Sequence, residues 1–344
     1  MKILVTGGAG MIGSHTAEYY ARKGDEVIVL DNLMRSQLFN SDKESVEYNW
    51  HYLTKYANVK RIKGDVRSEE DVSGAIGQGV DLVIHTAAQP GVPSSVRRPR
   101  EDFSINAAGT LNVLECLRQK SPQATFIYCS TNKVYGENID KLPLIEKETR
   151  YEYRETKAVS ETISVDHTGH TPYGASKYVG DLYTQEYGRI YGMKTAVFRM
   201  SCIYGIRQFG FEDQGWVAWF VIAILTQQPI TIYGDGKQVR DLLYVTDLVE
   251  AYDKFMQSDQ KHAVYNIGGG PENTVSLKEF LAILERETGV QPQIKFAPWR
   301  PSDQKVYISD ISKVSKGLSW NPKINPREGI KLLFQWVKEH RSVF

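Results

Sequence analysis

Residues 3 to 13 read Ile3-Leu4-Val5-Thr6-Gly7-Gly8-Ala9-Gly10-Met11-Ile12-Gly13. An apolar run of strand character gives way at once to glycines at 7, 10 and 13; a helix-like segment follows, and a second apolar run closes on Asp31. Glycine at those points lets the chain turn tightly, approach a pyrophosphate closely and pack the new helix on its strand. The helix would aim free N–H groups and the positive end of its dipole at the phosphates. Asp31 is placed to accept hydrogen bonds from a ribose diol and to repel a 2′-phosphate, which favours NAD over NADP. A glycine triplet alone is weak evidence, because glycine is common in turns. The strand, helix, second strand and acid around this one give it its weight.

Outward from this stretch, strands and helices alternate. Val59-Lys60-Arg61-Ile62 reads as a short strand leading into Gly64-Asp65-Val66, after which Ser68 can cap a helix whose first turn holds Glu69, Glu70 and Asp71. Asp81 to His85 is continuously apolar until its end, as a buried parallel strand should be. A helix from about Phe103 to Gln119, a strand from Ala124 to Cys129, a long helix from Pro172 to Tyr191 and a strand from Lys194 to Arg199 continue the pattern. The alternation predicts an α/β fold, a doubly wound parallel Rossmann sheet, in which ligands bind beyond the carboxyl ends of the strands. That rule singles out Gly7, Asp31, Asp65, Ala87-Ala88-Gln89 and Ser130-Thr131-Asn132.

Two stretches interrupt the regularity. Residues 36–56 are polar and aromatic without clean periodicity, a loop with a helical piece, and residues 137–171 read as an excursion over the mouth of the site. Beyond about residue 200 glycine and proline come closer together around a buried helix Trp216–Leu225, a short strand Ile230–Ile232 and a last helix Gly329–Arg341. The expected organisation is a nucleotide-binding domain over 1–200 and a smaller C-terminal α/β substrate-binding lobe over 201–344, with allowance for the chain crossing between them.

Lys and Arg number 42 and Asp and Glu 41, a net charge of +1, so no global field draws nucleic acid or an anionic membrane. Cys116, Cys129 and Cys202 are far apart, with no metal-ligand spacing and no disulfide framework. They are expected to be buried small hydrophobes in a reducing compartment, with no metal site. The chain enters a strand directly without a signal-peptide pattern, and Trp216–Leu225 is shorter than the roughly 20 residues a bilayer requires. These features predict a cytoplasmic protein without membrane or nucleic-acid partners.

The second chemical signal is Tyr173-Gly174-Ala175-Ser176-Lys177. Tyr and Lys four residues apart share a helix face. An ammonium beside a phenol of ordinary pKa about 10, helped by a cationic nicotinamide ring, is expected to favour the phenolate and make Tyr173 a usable base. In a chain with 20 tyrosines, such a pair in isolation is more often a solvated helix face.

With Thr6–Gly13, Asp31-Asn32, Asp65-Val66, His85-Thr86-Ala87-Ala88, Ser130-Thr131 and Tyr173–Lys177, the chain resembles the extended short-chain dehydrogenase/reductase family of nucleotide-sugar enzymes over essentially its whole length. The segments Gln89-Pro90, Ser130–Gly136, Arg207–Phe209, Asp213–Val217 and Gly236–Asp241 are similar to the 2-epimerases within that family. The resemblance implies a tightly bound NAD on Gly7, Gly10, Met11, Ile12, Asp31 and Asn32. It puts Asp65 and Val66 at the adenine, and Ala87, Ala88 and Gln89 beside the nicotinamide ribose, with Asn106, Ser130, Tyr173 and Lys177 in the same cofactor set. Thr131, Tyr173 and Lys177 would be catalytic. A nucleotide-diphosphate sugar would meet Gln89, Thr131, Asn132, Gln208, Gln214, Arg240 and Arg300, the two guanidinium forks suiting a pyrophosphate.

The implied reaction is oxidation of a sugar carbon to a ketone and return of the hydride on the other face, with carbon 2 assigned by resemblance alone. Dehydratases of the family carry Asp-Glu after the catalytic Thr; Asn132-Lys133 stands here instead, which argues against elimination. Lys133 is left open between a sugar contact and a surface position. Many members have Asn where this chain has Cys202, so substrate contacts there differ. A UDP-sugar 4-epimerase with the same mechanism, and a non-catalytic NAD-binding sensor on the same fold, are the competing readings. The resemblance also suggests a homodimer, or a larger homo-oligomer, built on the helices Phe103–Gln119 and Pro172–Tyr191.

Overall fold

The computed structural model describes residues 1–39, 43–300 and 302–344. The chain opens with β1 (Lys2–Thr6), α1 (Met11–Arg22) and β2 (Glu26–Asp31). The stretch 36–56, expected as a loop with a helical piece, holds more helix than that, α2 (Arg35–Phe39) and α3 (Lys43–Tyr52), while 40–42 lie outside the described residues. β3 (Val59–Lys63), α4 (Glu69–Ile76) and β4 (Leu82–His85) follow, and the Ser68 hydroxyl accepts the Asp71 N–H at 3.1 Å, the cap its position predicts. After α5 (Val92–Arg97), the helix expected from Phe103 starts earlier, as α6 (Pro99–Phe103), and passes through a π-type turn at Ser104–Ala108 into α7 (Gly109–Lys120). β5 (Thr125–Thr131) runs two residues past the expected Cys129, so Ser130 and Thr131 end the strand itself.

β6 (Leu144–Glu146) pairs antiparallel with β7 (Tyr151–Tyr153) inside the excursion. Then come α8 (Pro172–Tyr191), β8 (Thr195–Met200), β9 (Cys202–Tyr204), α9 (Trp216–Leu225), β10 (Ile230–Tyr233), β11 (Val239–Tyr244), α10 (Val245–Gln257), β12 (His262–Ile267) and β13 (Thr274–Ser276). α11 (Leu277–Thr288), β14 (Ile294–Ala297), β15 (Val306–Tyr307), α12 (Ser312–Leu318) and α13 (Pro326–Glu339) close the chain.

Two compact units emerge. The first comprises 1–134, 171–199 and 249–265, the second 135–170, 200–248 and 266–344. The central sheet has seven strands in the order β12-β8-β5-β4-β1-β2-β3, the doubly wound α/β architecture its sequence predicts. β3, β2, β1, β4 and β5 pair in parallel, with Thr6 opposite both Leu30 and His85. That register brings the carboxyl ends of β1, β2, β4 and β5 to one edge, where such sheets bind ligands. Leu4, Ile28, Val83, Phe126 and Val197 pack with Val72, Val113 and Leu117 into one buried cluster. α8 lies close on β5 because Gly180 has no side chain: a Cβ there would collide with the Tyr128 hydroxyl.

The second unit carries β11 between β13 and β15, with β9 also pairing β11, and a parallel β10–β14 pair. α9 is buried along most of its length, as its apolar run predicts. Cys116 and Cys129 are buried, but Cys202 is only partly so, contrary to expectation, because it sits on the short strand β9 rather than inside the central sheet.

Candidate active site

The glycine loop is built as its spacing requires. Gly7 has φ +70°, and a Cβ there would come within 2.6 Å of the Ala87 nitrogen; a Cβ on Gly13 would strike the Gly7 carbonyl. Gly7 thereby lets the turn after β1 nest against the loop after β4. Gly10 caps α1 without a side-chain hydrogen bond, leaving the N–H groups of the first turn at Met11 and Ile12 without a capping side chain from that position. Asp31 accepts the Ala9 N–H at 2.9 Å and the Leu33 N–H at 2.8 Å, which aims its carboxylate at this loop. Burial raises its pKa, and those two N–H groups counter part of the rise. Asn32 donates to Asp65 at 2.8 Å, and Arg67 binds the same carboxylate at 2.6 Å. Asp65 is held down at about 2, its burial outweighed by these partners. Val66 is buried, and its carbonyl accepts from Asn112 at 2.7 Å.

A second group gathers at the ends of β4 and β5 and on the first turns of α8. Thr171 caps α8 by accepting the Gly174 N–H at 3.2 Å, with Pro172 at the first helical position. The Thr131 hydroxyl acts on the Tyr173 phenol, favouring its ionised form. Thr131 also accepts the Lys133 N–H at 3.3 Å and donates to Asn132 at 3.3 Å. Lys177, one turn beyond Tyr173, is 3 % exposed, with its ammonium 4.3 Å from the centre of the Tyr128 ring. Ser130 is fully buried and donates to Asp181 at 2.8 Å; Arg199 binds that same carboxylate at 2.9 Å. Asn106 lies in the π-type turn and spans the backbone of Gln89, accepting its N–H at 2.9 Å and donating to its carbonyl at 3.1 Å.

Tyr173 is pushed up to about 12, mainly by burial and further by the Asp102 carboxylate, with the Thr131 hydrogen bond offsetting part of the rise. Lys177 is pulled down to about 8, again mainly by burial. Lys177 is not among the groups acting on the phenol, whose rise comes mainly from desolvation; the expected lowering joined the lysine to a cationic nicotinamide ring.

The remaining candidates belong to the second unit. Arg240 pairs with Asp303 at 2.7 Å. Arg300 pairs with Asp213 at 2.9 Å, and its guanidinium carbon stands 3.8 Å from the centre of the Tyr233 ring. Gln208 is buried, its amide 3.4 Å from the Ile203 carbonyl, and Gln214 and Phe211 exchange backbone hydrogen bonds at 3.0 Å. Sequence reasoning missed Asp102, Ser95, Ser176 and Asp181, which touch the candidates Gln89, Tyr173, Asn106 and Ser130, and Arg199, which touches Asp181, all through contacts between separate elements that no local spacing signals.

Among the described residues no group of three or more His, Cys, Asp or Glu is arranged to hold a metal, and no helix is long and apolar enough to cross a membrane. The uncapped α1 terminus, the tight glycine turn and the aimed Asp31 carboxylate fit a dinucleotide with a free ribose diol. Comparison with known proteins agrees. The CDP-paratose 2-epimerase of Salmonella typhi is 37 % identical over 98 % of this chain and 99 % of its own. The UDP-glucose 4-epimerase of Thermotoga maritima, solved with UDP-glucose, superposes with a TM-score of 0.82 at 31 % identity, covering 99 % of this chain and 100 % of the other. The Thermus thermophilus UDP-glucose 4-epimerase, solved with NAD, gives 0.80 at 32 % identity over 98 % of each chain. Residues 3–268 match the NAD dependent epimerase/dehydratase family, and the chain belongs to that family.

Proposed function

We propose that this protein is an NAD-dependent nucleotide-sugar 2-epimerase that converts CDP-paratose to CDP-tyvelose. The observation that carries the catalytic part is the Tyr173 phenol acted on by the buried Thr131 hydroxyl, with buried Lys177 one helical turn away. The substrate part is supported by the full-length likeness to the Salmonella enzyme and by Asn132-Lys133 standing where elimination needs two acids.

Gly7, Gly10, Met11, Ile12, Asp31 and Asn32 would hold the cofactor's adenosine diphosphate half, with Asp65 and Val66 at its adenine. Ala87, Ala88, Asn106, Ser130 and Lys177 would frame the nicotinamide half. Bound NAD supplies a hydride acceptor that later returns the hydride, together with a positive charge. Tyr173 removes the proton of the reacting hydroxyl, and Thr131 holds that oxygen in line with it. From about 12, the phenol needs a nearby cation to ionise at neutral pH, so Tyr173 becomes competent as the site fills. Arg240 and Arg300 would grip the pyrophosphate while the keto sugar turns its other face, with Gln208 and Gln214 near the nucleotide sugar. Because the hydride returns, the reaction has no net redox change and the cofactor stays bound.

Proton NMR with CDP-paratose, and in parallel UDP-glucose, in deuterated water tests this. Inversion at carbon 2 without deuterium uptake is the expected result. Inversion at carbon 4 of UDP-glucose would transfer the protein to the 4-epimerase reading, which the UDP-sugar relatives favour, and deuterium at the inverted carbon would remove the hydride mechanism. A homodimer is proposed on the exposed apolar side chains Leu182, Tyr183, Ile190 and Tyr191 of α8 and Phe103 of α6, with sedimentation as its check. Three unpaired thiols agree with a reducing, cytoplasmic setting.

A further inference from the structure

The least explained group in the first unit is the Asp102 carboxylate. It is 1 % exposed, at the end of α6 just before the π-type turn. One oxygen, Oδ1, accepts two N–H bonds: from the Gln89 side chain at 2.9 Å and from the Asn106 side chain at 3.1 Å. The other, Oδ2, is buried without a hydrogen-bond partner. Burying a carboxylate this way is costly, and a protein that only needed packing would place an apolar side chain there.

The two amides that Asp102 holds are fully committed. Gln89 is 1 % exposed, its amide oxygen accepting from the Gly91 N–H at 2.5 Å and its amide nitrogen donating to the Gly91 carbonyl at 2.9 Å as well as to Asp102. A direct grip on substrate by this side chain is thereby excluded in the geometry described. Asn106 brackets the Gln89 backbone and donates to the Ser176 hydroxyl at 3.1 Å, and Ser176 in turn donates to the Tyr173 carbonyl at 3.1 Å. From the other side, the Tyr173 N–H donates to the buried Ser95 hydroxyl of α5 at 3.1 Å. Hence the strand-end loop 87–91 and the first turn of α8 form one hydrogen-bonded body with Asp102 at its root.

Charge points to the same residue. The groups acting on Lys177 are Asp181 on its own helix, Cys129 on β5 and Asp102 on α6. Asp181 is already committed to Arg199, at 2.9 and 3.2 Å, and Cys129 contacts the Tyr252 hydroxyl at 3.0 Å. Buried His85 lies between the Thr6 and Thr110 hydroxyls and is held neutral, near 3. Asp102 is the carboxylate in this pocket with no cation in contact. We propose that Asp102 is a positioning residue of the same site, tying Gln89 and Asn106 into the frame that orients Tyr173 and supplying the counter-charge to Lys177. Gln89 accordingly acts through that frame.

This inference rests on Tyr173 being the base, so the experiment carries Tyr173→Phe as its control. Asp102→Asn keeps an oxygen for both amide donors and deletes the charge, whereas Asp102→Ala deletes both. The acidic limb of the kcat/KM profile should move to lower pH in Asp102→Asn, by about half a unit to one unit, because a charge that holds protons on Tyr173 and Lys177 is gone. In Asp102→Ala kcat should fall about tenfold to a hundredfold with KM little changed, since the orienting frame is lost while the nucleotide contacts remain. Ser176→Ala, which cuts the link to α8 while leaving the Asp102 bonds to Gln89 and Asn106, should show a smaller fall of the same kind if Asp102→Ala does not fold. An unmoved pH limb in Asp102→Asn together with undiminished kcat in Ser176→Ala would overturn the proposal. Turnover surviving in Tyr173→Phe would instead overturn the catalytic reading beneath it.

Discussion

The two units treat charge in opposite ways. In the first, Lys177 and Asp102 are buried among neutral donors and rings, and the groups around them are moved far from their ordinary pKa: Tyr173 up to about 12, Lys177 down to about 8. In the second, Arg240 and Arg300 are partly exposed, each already beside a carboxylate. Burial without a partner leaves a group ready for proton transfer, because small changes nearby shift its equilibrium strongly. An exposed pair is already balanced by its partner and by water, so a diphosphate would be bound by exchanging one anion for another. The contrast separates a region suited to chemistry from one suited to holding.

The comparison breaks most visibly at Tyr173. Tyr173→Phe should lower turnover about 10³-fold or more while bound NAD, read by absorbance of the released cofactor, stays unchanged. Comparable loss of cofactor would make Tyr173 a binding residue. Next come the arginines: Arg240→Ala or Arg300→Ala should raise KM for the nucleotide sugar about 10- to 100-fold with a smaller change in kcat. A pure kcat effect would erase the distinction between the units.

Gly180→Ala should destabilise the protein by about 1–3 kcal/mol through overpacking against Tyr128, seen as a lower melting temperature, with a fall in kcat as the Tyr173 helix is displaced from β5. The smallest effect is linkage at Lys177. The unfolded chain keeps that proton to about 10.5 and the folded chain to about 8, so the unfolded state binds more protons between those values. Unfolding free energy from this group therefore rises with pH from 8 to 10.5, and below pH 8 the burial cost is carried in full. Denaturant titrations of wild type and Lys177→Met across that window should differ in slope, the variant lacking the rise.

What the sequence determined by itself was everything that follows from local backbone demands and short spacings. Glycines 7, 10 and 13 between strand and helix, the Ser68 cap, the apolar run of α9 and the alternation of strands and helices lead to the doubly wound sheet without reference to any distant residue. The Tyr173–Lys177 spacing likewise follows from helix geometry. Tertiary structure alone decided three further things. It placed a π-type turn in the helix expected from Phe103, and so aimed Asn106 at the Gln89 backbone. It joined Ser95 to Tyr173 and Asn106 to Ser176 across seventy residues or more. It also set the sign of the Tyr173 shift. A helical wheel shows a lysine beside a phenol, but only the packed protein shows how much water both have lost, and in this pocket desolvation is the largest influence on the phenol.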